Sequence, residues 1–282
     1  MKKSVALFLA IVILVFASSC DSLFSGGGNS QTMVDNDSYT IRILGMQEDS
    51  FYGQIINVYL ENKSQDVTYR FNILSASING VDCDGHFEWS EVEPGESSEG
   101  YIGFSDMAKV TEPTWLEYLG ITECTDIKLK LGIWDANLDT EEPIATEMLR
   151  YFPRGEKNAS GYERNDPNDI FIFDGDDIKF IVTETMMTEE YGFFDLSFCL
   201  KNKTDAELRY AFDDVTVNGK SIYTNHNEMT SLGETYLFES LWWSINDLSY
   251  NEITAVEKIE FILRAYNNNN ECVVEEVIKI EL

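Results

Sequence analysis

Ile56-Asn57-Val58-Tyr59-Leu60-Glu61-Asn62-Lys63-Ser64 is answered 140 residues later by Leu196-Ser197-Phe198-Cys199-Leu200-Lys201-Asn202-Lys203-Thr204. In both, Ile56/Leu196, Val58/Phe198 and Leu60/Leu200 alternate, which places one face of a β-strand on a core. Both then run into Asn-Lys-Ser/Thr, a polar turn that ends a strand. Ile78-Asn79-Gly80 matches Val217-Asn218-Gly219 at an offset of 139, and Glu93-Pro94-Gly95-Glu96 matches Ser231-Leu232-Gly233-Glu234 at 138. Later, Ile127, Leu129, Leu131 and Ile133 correspond to Ile259, Phe261, Leu263 and Ala265, with Trp134 opposite Tyr266. A preserved order with a slowly drifting offset marks a tandem duplication.

Each unit reads as β throughout. Asn-Gly at 79–80 and 218–219 is a strong hairpin-turn signal, because both residues tolerate positive φ. Helical runs are scarce. Thr114 to Leu119 and Glu239 to Leu248 hold comparable places before the late strand and are expected to form one or two turns on a sheet end. Several short antiparallel strands in a unit close to the usual size of about 100 residues indicate a two-sheet sandwich of immunoglobulin-like architecture. The expected order is a first sandwich over 38–152, a polar linker over 153–169 and a second sandwich over 170–282. The antibody Cys…Trp…Cys spacing is missing, so a true antibody relative is not implied.

The first residues give an address. Lys2 and Lys3 precede a 13-residue uncharged apolar run, Val5 to Ala17, and Ala17-Ser18-Ser19 stand before Cys20. A bilayer-spanning helix needs roughly 20 apolar residues, so this run reads as an export signal over 1–19. Small residues ending at a cysteine resemble the lipobox of bacterial lipoproteins, with Ala17 where that family prefers Leu. The resemblance implies cleavage before Cys20, diacylglycerol on its thiol, and a protein held outside the cytoplasmic membrane. Residues 20–37, with Gly26-Gly27-Gly28, are expected to form a flexible tether. The repeat pattern, with its Asn-Lys-Ser/Thr, Asn-Gly and Gly-Glu turns, is similar to uncharacterised envelope lipoproteins of Gram-positive anaerobes that carry immunoglobulin-like repeats. That resemblance implies a fold and a location and brings no catalytic residues.

Charge limits the partners. Removing the signal leaves 18 basic against 50 acidic residues, a formal charge of −32. Such a surface repels nucleic acid, whose phosphates require clustered Lys and Arg. Cys83 and Cys124 in the first unit and Cys199 and Cys272 in the second fall at non-equivalent places, which leaves a disulfide in each unit or free thiols both open. His86 and His226 are the only histidines. Neither lies in a hydrolase-like sequence, and no Gly-x-Ser-x-Gly occurs. Asp82, Cys83, Asp84 and His86 are compact but lack a second ligand cluster for zinc. Asp174-Gly175-Asp176-Asp177 and Asp213-Asp214 offer hard oxygens for calcium without an EF-hand loop. Trp242 and Trp243 are adjacent, so at most one fills a core, and Trp134 and Tyr266 lie on the outward face of their strands. The expectation is a non-enzyme without cofactor or metal, anchored through lipid on Cys20, which binds or presents a surface to an extracellular protein or glycan. The alternative is a carbohydrate- or calcium-binding envelope module.

Overall fold

The computed structural model describes residues 30–282 other than 89–90, 108–112, 139, 189–191 and 225–227. In the first half the strands are β1 (Gln31–Asp35), β2 (Tyr39–Asp49), β3 (Gly53–Asn62), β4 (Tyr69–Ile78), β5 (Val81–Cys83), β6 (Gly85–Glu88), β7 (Glu91–Val92) and β8 (Ser97–Phe104). A short helix α1 (Trp115–Tyr118) and strands β9 (Ile127–Asp135) and β10 (Ala145–Tyr151) complete it. The second half holds β11 (Ile170–Asp174), β12 (Ile178–Thr188), β13 (Phe193–Asn202), β14 (Leu208–Val217), β15 (Lys220–Ser221), β16 (Glu228–Ser231) and β17 (Tyr236–Ser244). It ends with α2 (Ile245–Tyr250), β18 (Lys258–Tyr266) and β19 (Cys272–Glu281).

Each half is a sandwich of two antiparallel sheets. The first packs β1-β2-β3-β8-β6 on β10-β9-β4, with β5 and β7 paired to β4. The second packs β11-β12-β13-β17 on β14-β18-β19, with β15 and β16 paired to β14. The protein is therefore all-β, two immunoglobulin-like sandwiches in tandem. The alternation read from the sequence supplies both cores. Ile41, Ile43, Ile56, Val58 and Leu60 face Phe71, Leu129, Leu131 and Ile133 in one. Phe180, Val182, Leu196, Phe198 and Leu200 face Tyr210, Phe212, Phe261 and Leu263 in the other. Burying each such side chain contributes about 1.5–3 kcal/mol. Leu60 and Leu200 stand at the same point, opposite Ile41 and Phe180 respectively.

The turns repeat in atomic detail. Asn79 and Asn218 have φ of 52° and 51°, followed by Gly80 and Gly219 at 81° and 76°. In both, the side-chain oxygen accepts two backbone N–H groups from the segment entering the late strand, Thr125 and Asp126 or Glu257 and Lys258. Asn62 and Asn202 each donate through the side-chain amide to two carbonyls, Val67 and Val92 or Ala206 and Leu232, tying three loops together. Bulges also recur, at Thr32/Val34 and Phe171/Phe173, and at Ile43/Gly45 and Val182/Glu184.

Two expectations are corrected. The tether read for 20–37 overlaps a strand: Gln31–Asp35 pairs with β2, and Asp35 binds Lys63 as Asp174 binds Lys203. The backbone pairing and ion pair hold a segment whose composition alone suggested freedom. Glu239 to Leu248 holds the expected short helix only from Ile245. Its first residues continue β17, since Leu241 and Trp243 pair with Leu196 and Phe194, and the helix begins only where the Ser244 hydroxyl caps Asn246. The turn at 114–119 does form, capped by Thr114 and Glu117 in a reciprocal pair.

The two sandwiches are joined by more than sequence. Val81 pairs in parallel with Tyr236, so β5 and β17 merge two sheets into one that crosses the junction. The linker is a strap. Tyr162 donates its N–H to Asn79, and its ring packs edge-on against Tyr236 at 5.3 Å. Glu163 binds Lys201 and the Tyr236 hydroxyl, and Arg164 lies over the Phe238 ring while paired with Asp169.

Candidate functional site

Where the sandwiches meet, a cleft of about 350 Å³ opens between β4, β5 and α1 on one side and β16 and β17 on the other. Asp82 and Asp84 enter from β5 and the residue after it, Asp106 from the turn after β8, and Glu228 and Glu239 from the second sandwich. Trp115 and Phe238 form an aromatic wall, their rings edge-to-face at 5.5 Å. Trp115 also stacks on Tyr118, at 5.7 Å and 16° between planes. Among the described lining residues no cationic side chain is present.

The acids are not equivalent. Asp82 follows the Asn79-Gly80 turn on a strand whose pairing places it opposite Ser77. Its residue as a whole is half-buried, but both carboxylate oxygens are shut from solvent without a hydrogen-bond partner. The Thr235 hydroxyl is close enough to favour the ionised form, yet it donates to the Leu232 carbonyl instead. Burial dominates and pushes the Asp82 carboxyl well above the usual range. Asp106 is raised too, by burial and by the neighbouring Asp84 charge, although it accepts the Asp84 N–H at 2.8 Å. Glu228 is held at the rim by Arg209 at 2.6 Å.

The residues singled out by sequence lie elsewhere or serve packing. Cys20 and His226 fall outside the described residues. The four remaining thiols are free. Burial pushes Cys124 and Cys199 up to about 12 and Cys83 well above its ordinary value, so none of the three is a ready thiolate. His86 is exposed, 3.1 Å from Glu88 and stacked near Tyr52. Among the described residues no three His, Cys, Asp or Glu side chains come together in a way that would hold a metal. Of the calcium candidates, Asp174 is engaged by Lys203 and Asp213 by Arg264, on separate strands.

Trp243 fills the second core and Trp242 points outward, meeting Phe193 edge-on at 4.7 Å. Trp134 and Tyr266 take matching places beside Arg70 and Arg209. Trp134 lies over Gly132 of its own strand, and Arg209 stacks on Tyr266, so both rings cover sheet surface. Tyr118, Trp115, Phe238, Tyr162 and Tyr236 make a continuous series of ring contacts at the junction, stacked at Trp115–Tyr118 and edge-to-face at Trp115–Phe238. Sequence reasoning missed the cleft itself, because Asp82 looks like an ordinary solvated turn acid. What the sequence did carry is the covered face nearby: Phe180-Ile181-Val182 and Phe198-Cys199-Leu200 are apolar on both faces and mark strands covered on both sides.

No protein-family model matches the chain, and no curated protein matches it. Among solved structures it is similar to the YadV chaperone, at 12% identity and a TM-score of 0.26 over 86% of this chain and 100% of that one. It is similar to the Salmonella enterica SafA pilin in complex with the SafB chaperone, at 11% and 0.22 over 88% and 98%. An exo-chitosanase of Amycolatopsis orientalis matches at 10% and 0.26, over 84% of this chain and 26% of that one. The likeness extends to neither activity nor partner.

Proposed function

We propose that this is a lipid-anchored protein of the cell envelope that binds an extracellular partner without chemistry of its own. The observation that carries the reading is the cleft at the junction. Two sandwiches shape it, it exposes an aromatic wall among carboxylates, and burial holds the Cys83 thiol that lines it well above its ordinary pKa. Concave sites with a few polar groups on a largely preformed scaffold bind ligands more readily than flat sheet faces do. The anchor rests on the order of charged, apolar and small residues that ends at Cys20. With about ten residues between Cys20 and β1, lipid at Cys20 would hold the first sandwich near the membrane surface at the reach of an extended chain, roughly 3.3–3.6 Å per residue.

Membrane fractionation tests the anchor. Cys20→Ala should leave the membrane fraction and retain its signal, whereas unchanged association of that variant would contradict it. Protease added to intact cells should remove the folded part of the wild type if it lies outside the membrane.

A further inference from the structure

We propose that the junction between the sandwiches is a proton-operated latch, closed while the Asp82 carboxyl keeps its proton and loosened when it loses it. The device belongs to the junction and does not depend on what the cleft binds.

Its position is the first observation. Strand pairing sets Arg150, Lys128, Ser77 and Asp82 side by side across β10, β9, β4 and β5, against the 231–235 turn of the second sandwich. Lys128 crosses to the Gly233 carbonyl at 2.6 Å and to Glu234 at 3.1 Å, and Arg150 approaches Glu234 at 3.7 Å. Lys130, two residues along β9, pairs with Glu207 of the second sandwich. The row ends at Asp82, next to the Val81–Tyr236 pairing that joins the sheets.

What Asp82 lacks is the second observation. Both its oxygens, and the Ser77 hydroxyl opposite, are shut from solvent without a hydrogen-bond partner among the described residues. The Leu232 backbone and the Thr235 hydroxyl lie near it from the second sandwich, where Lys128 favours the ion and Glu207 opposes it. Tyr210 of β14 is also close, bonded to Ser231 at 3.0 Å, and Cys83 follows on β5. Lys128 is already held by the turn. A neutral acid is tolerated in such a place and an ion is costly, so burial raises the carboxyl well above its usual range. The fold does not require the acid. The second sandwich builds the same Asn-Gly turn, with exposed Ser221, opposite Thr216, in the place of Asp82.

The sign follows from linkage. Once the junction opens, water solvates Asp82 and its pKa returns to the ordinary carboxylate range. In more acid solution both states hold the proton and the closed state is fully favoured. Above that range only the open state gives the proton up. The closed state therefore loses ground as the pH rises, until Asp82 ionises there too.

Amide hydrogen exchange followed by NMR on residues 21–282 tests the latch. The Tyr236 N–H donates to the Gly80 carbonyl across the junction at 2.7 Å, so its protection, corrected for the intrinsic rate at each pH, reports opening. In the wild type that protection should fall at least tenfold as the pH rises above the ordinary carboxylate range, the change that a pKa difference of one between closed and open junction produces. Amides of β18, which lies between β14 and β19, should keep theirs, which separates opening from unfolding. Asp82→Asn should make the Tyr236 protection independent of pH over the same range. Asp82→Ser, which installs the residue of the second repeat, should do the same and serves if the first variant does not fold. Constant Tyr236 protection in the wild type, the same fall in either folded variant, or an equal fall in β18 would overturn the proposal.

Discussion

The outer faces of the β2-β3-β8 and β12-β13-β17 sheets have the same register and opposite fates. In the first sandwich one cross-strand row reads Arg42, Tyr59, Glu99. Arg42 lies over the Tyr59 ring at 5.1 Å, and Glu99 is exposed. The equivalent row of the second reads Ile181, Cys199, Phe238. Ile181 and Cys199 are fully buried and belong to the apolar cluster of the first sandwich, not to their own core. The Asn-Gly turns differ in the same way: Asn79 is buried at the junction, and Asn218 is exposed at the far end. Duplication copied the inward residues and the turns. The outward residues diverged, and they decide which face is covered.

The largest break in that comparison should come from exchanging the rows. Ile181→Arg would place an uncompensated charge in a closed contact and should cost roughly 3–5 kcal/mol. The mirror change Arg42→Ile, at a half-buried side chain lying over Tyr59, should cost no more than about 1 kcal/mol. Urea midpoints of the two variants give the difference directly. Equal costs would mean that the two faces are equally covered.

The turns sharpen the comparison at a smaller scale. Asn79→Ala and Asn218→Ala both lose a positive-φ residue and its side-chain bonds. At the junction the loss also leaves buried N–H groups of Thr125 and Asp126 unpaired, at about 1–3 kcal/mol, whereas water replaces the bonds at the exposed turn. Asn79→Ala should therefore be the more destabilising, and the reverse order in thermal unfolding would contradict the buried placement.

Asp82 carries the smallest expected effect, read as a slope. Its carboxyl is raised in the folded chain, facing Thr235 and the Leu232 backbone, with Lys128 and Glu207 nearby. The folded state therefore holds the proton more tightly than the unfolded state. Stability contributed by the protonated group is present near pH 4 and declines as the pH rises toward the folded value. Asp82→Asn should flatten that decline as the pH rises above the ordinary carboxylate range. A steeper decline in the variant would reverse the sign.

Much of the fold was legible because period-two alternation and Asn-Gly turns are local signals. Ile56, Val58 and Leu60 need only a sheet beneath them to be buried, and Asn79-Gly80 needs only its own φ. The strand at Gln31–Asp35 was harder to read. Its likeness to Ile170–Asp174 is carried by a final Asp that pairs with a lysine nearly 30 residues on, and such a contact shows only when both copies are aligned. The covered outer face was half legible, in the uninterrupted apolar runs around Ile181 and Cys199. The cleft was not legible. It exists only because a strap, a turn and a helix from distant parts of the chain meet there, and no local period encodes that meeting.

Thiol labelling tests the central claim, that the second sandwich's outer face is closed by the linker strap and the first sandwich. On native residues 21–282, a soluble maleimide read by mass spectrometry should modify exposed Cys272 quickly and leave Cys199 protected. In a fragment of residues 168–282, which lacks the strap and the first sandwich, Cys199 should become reactive while the fragment still unfolds cooperatively. Labelling of Cys199 as fast as Cys272 in the intact protein would contradict the account.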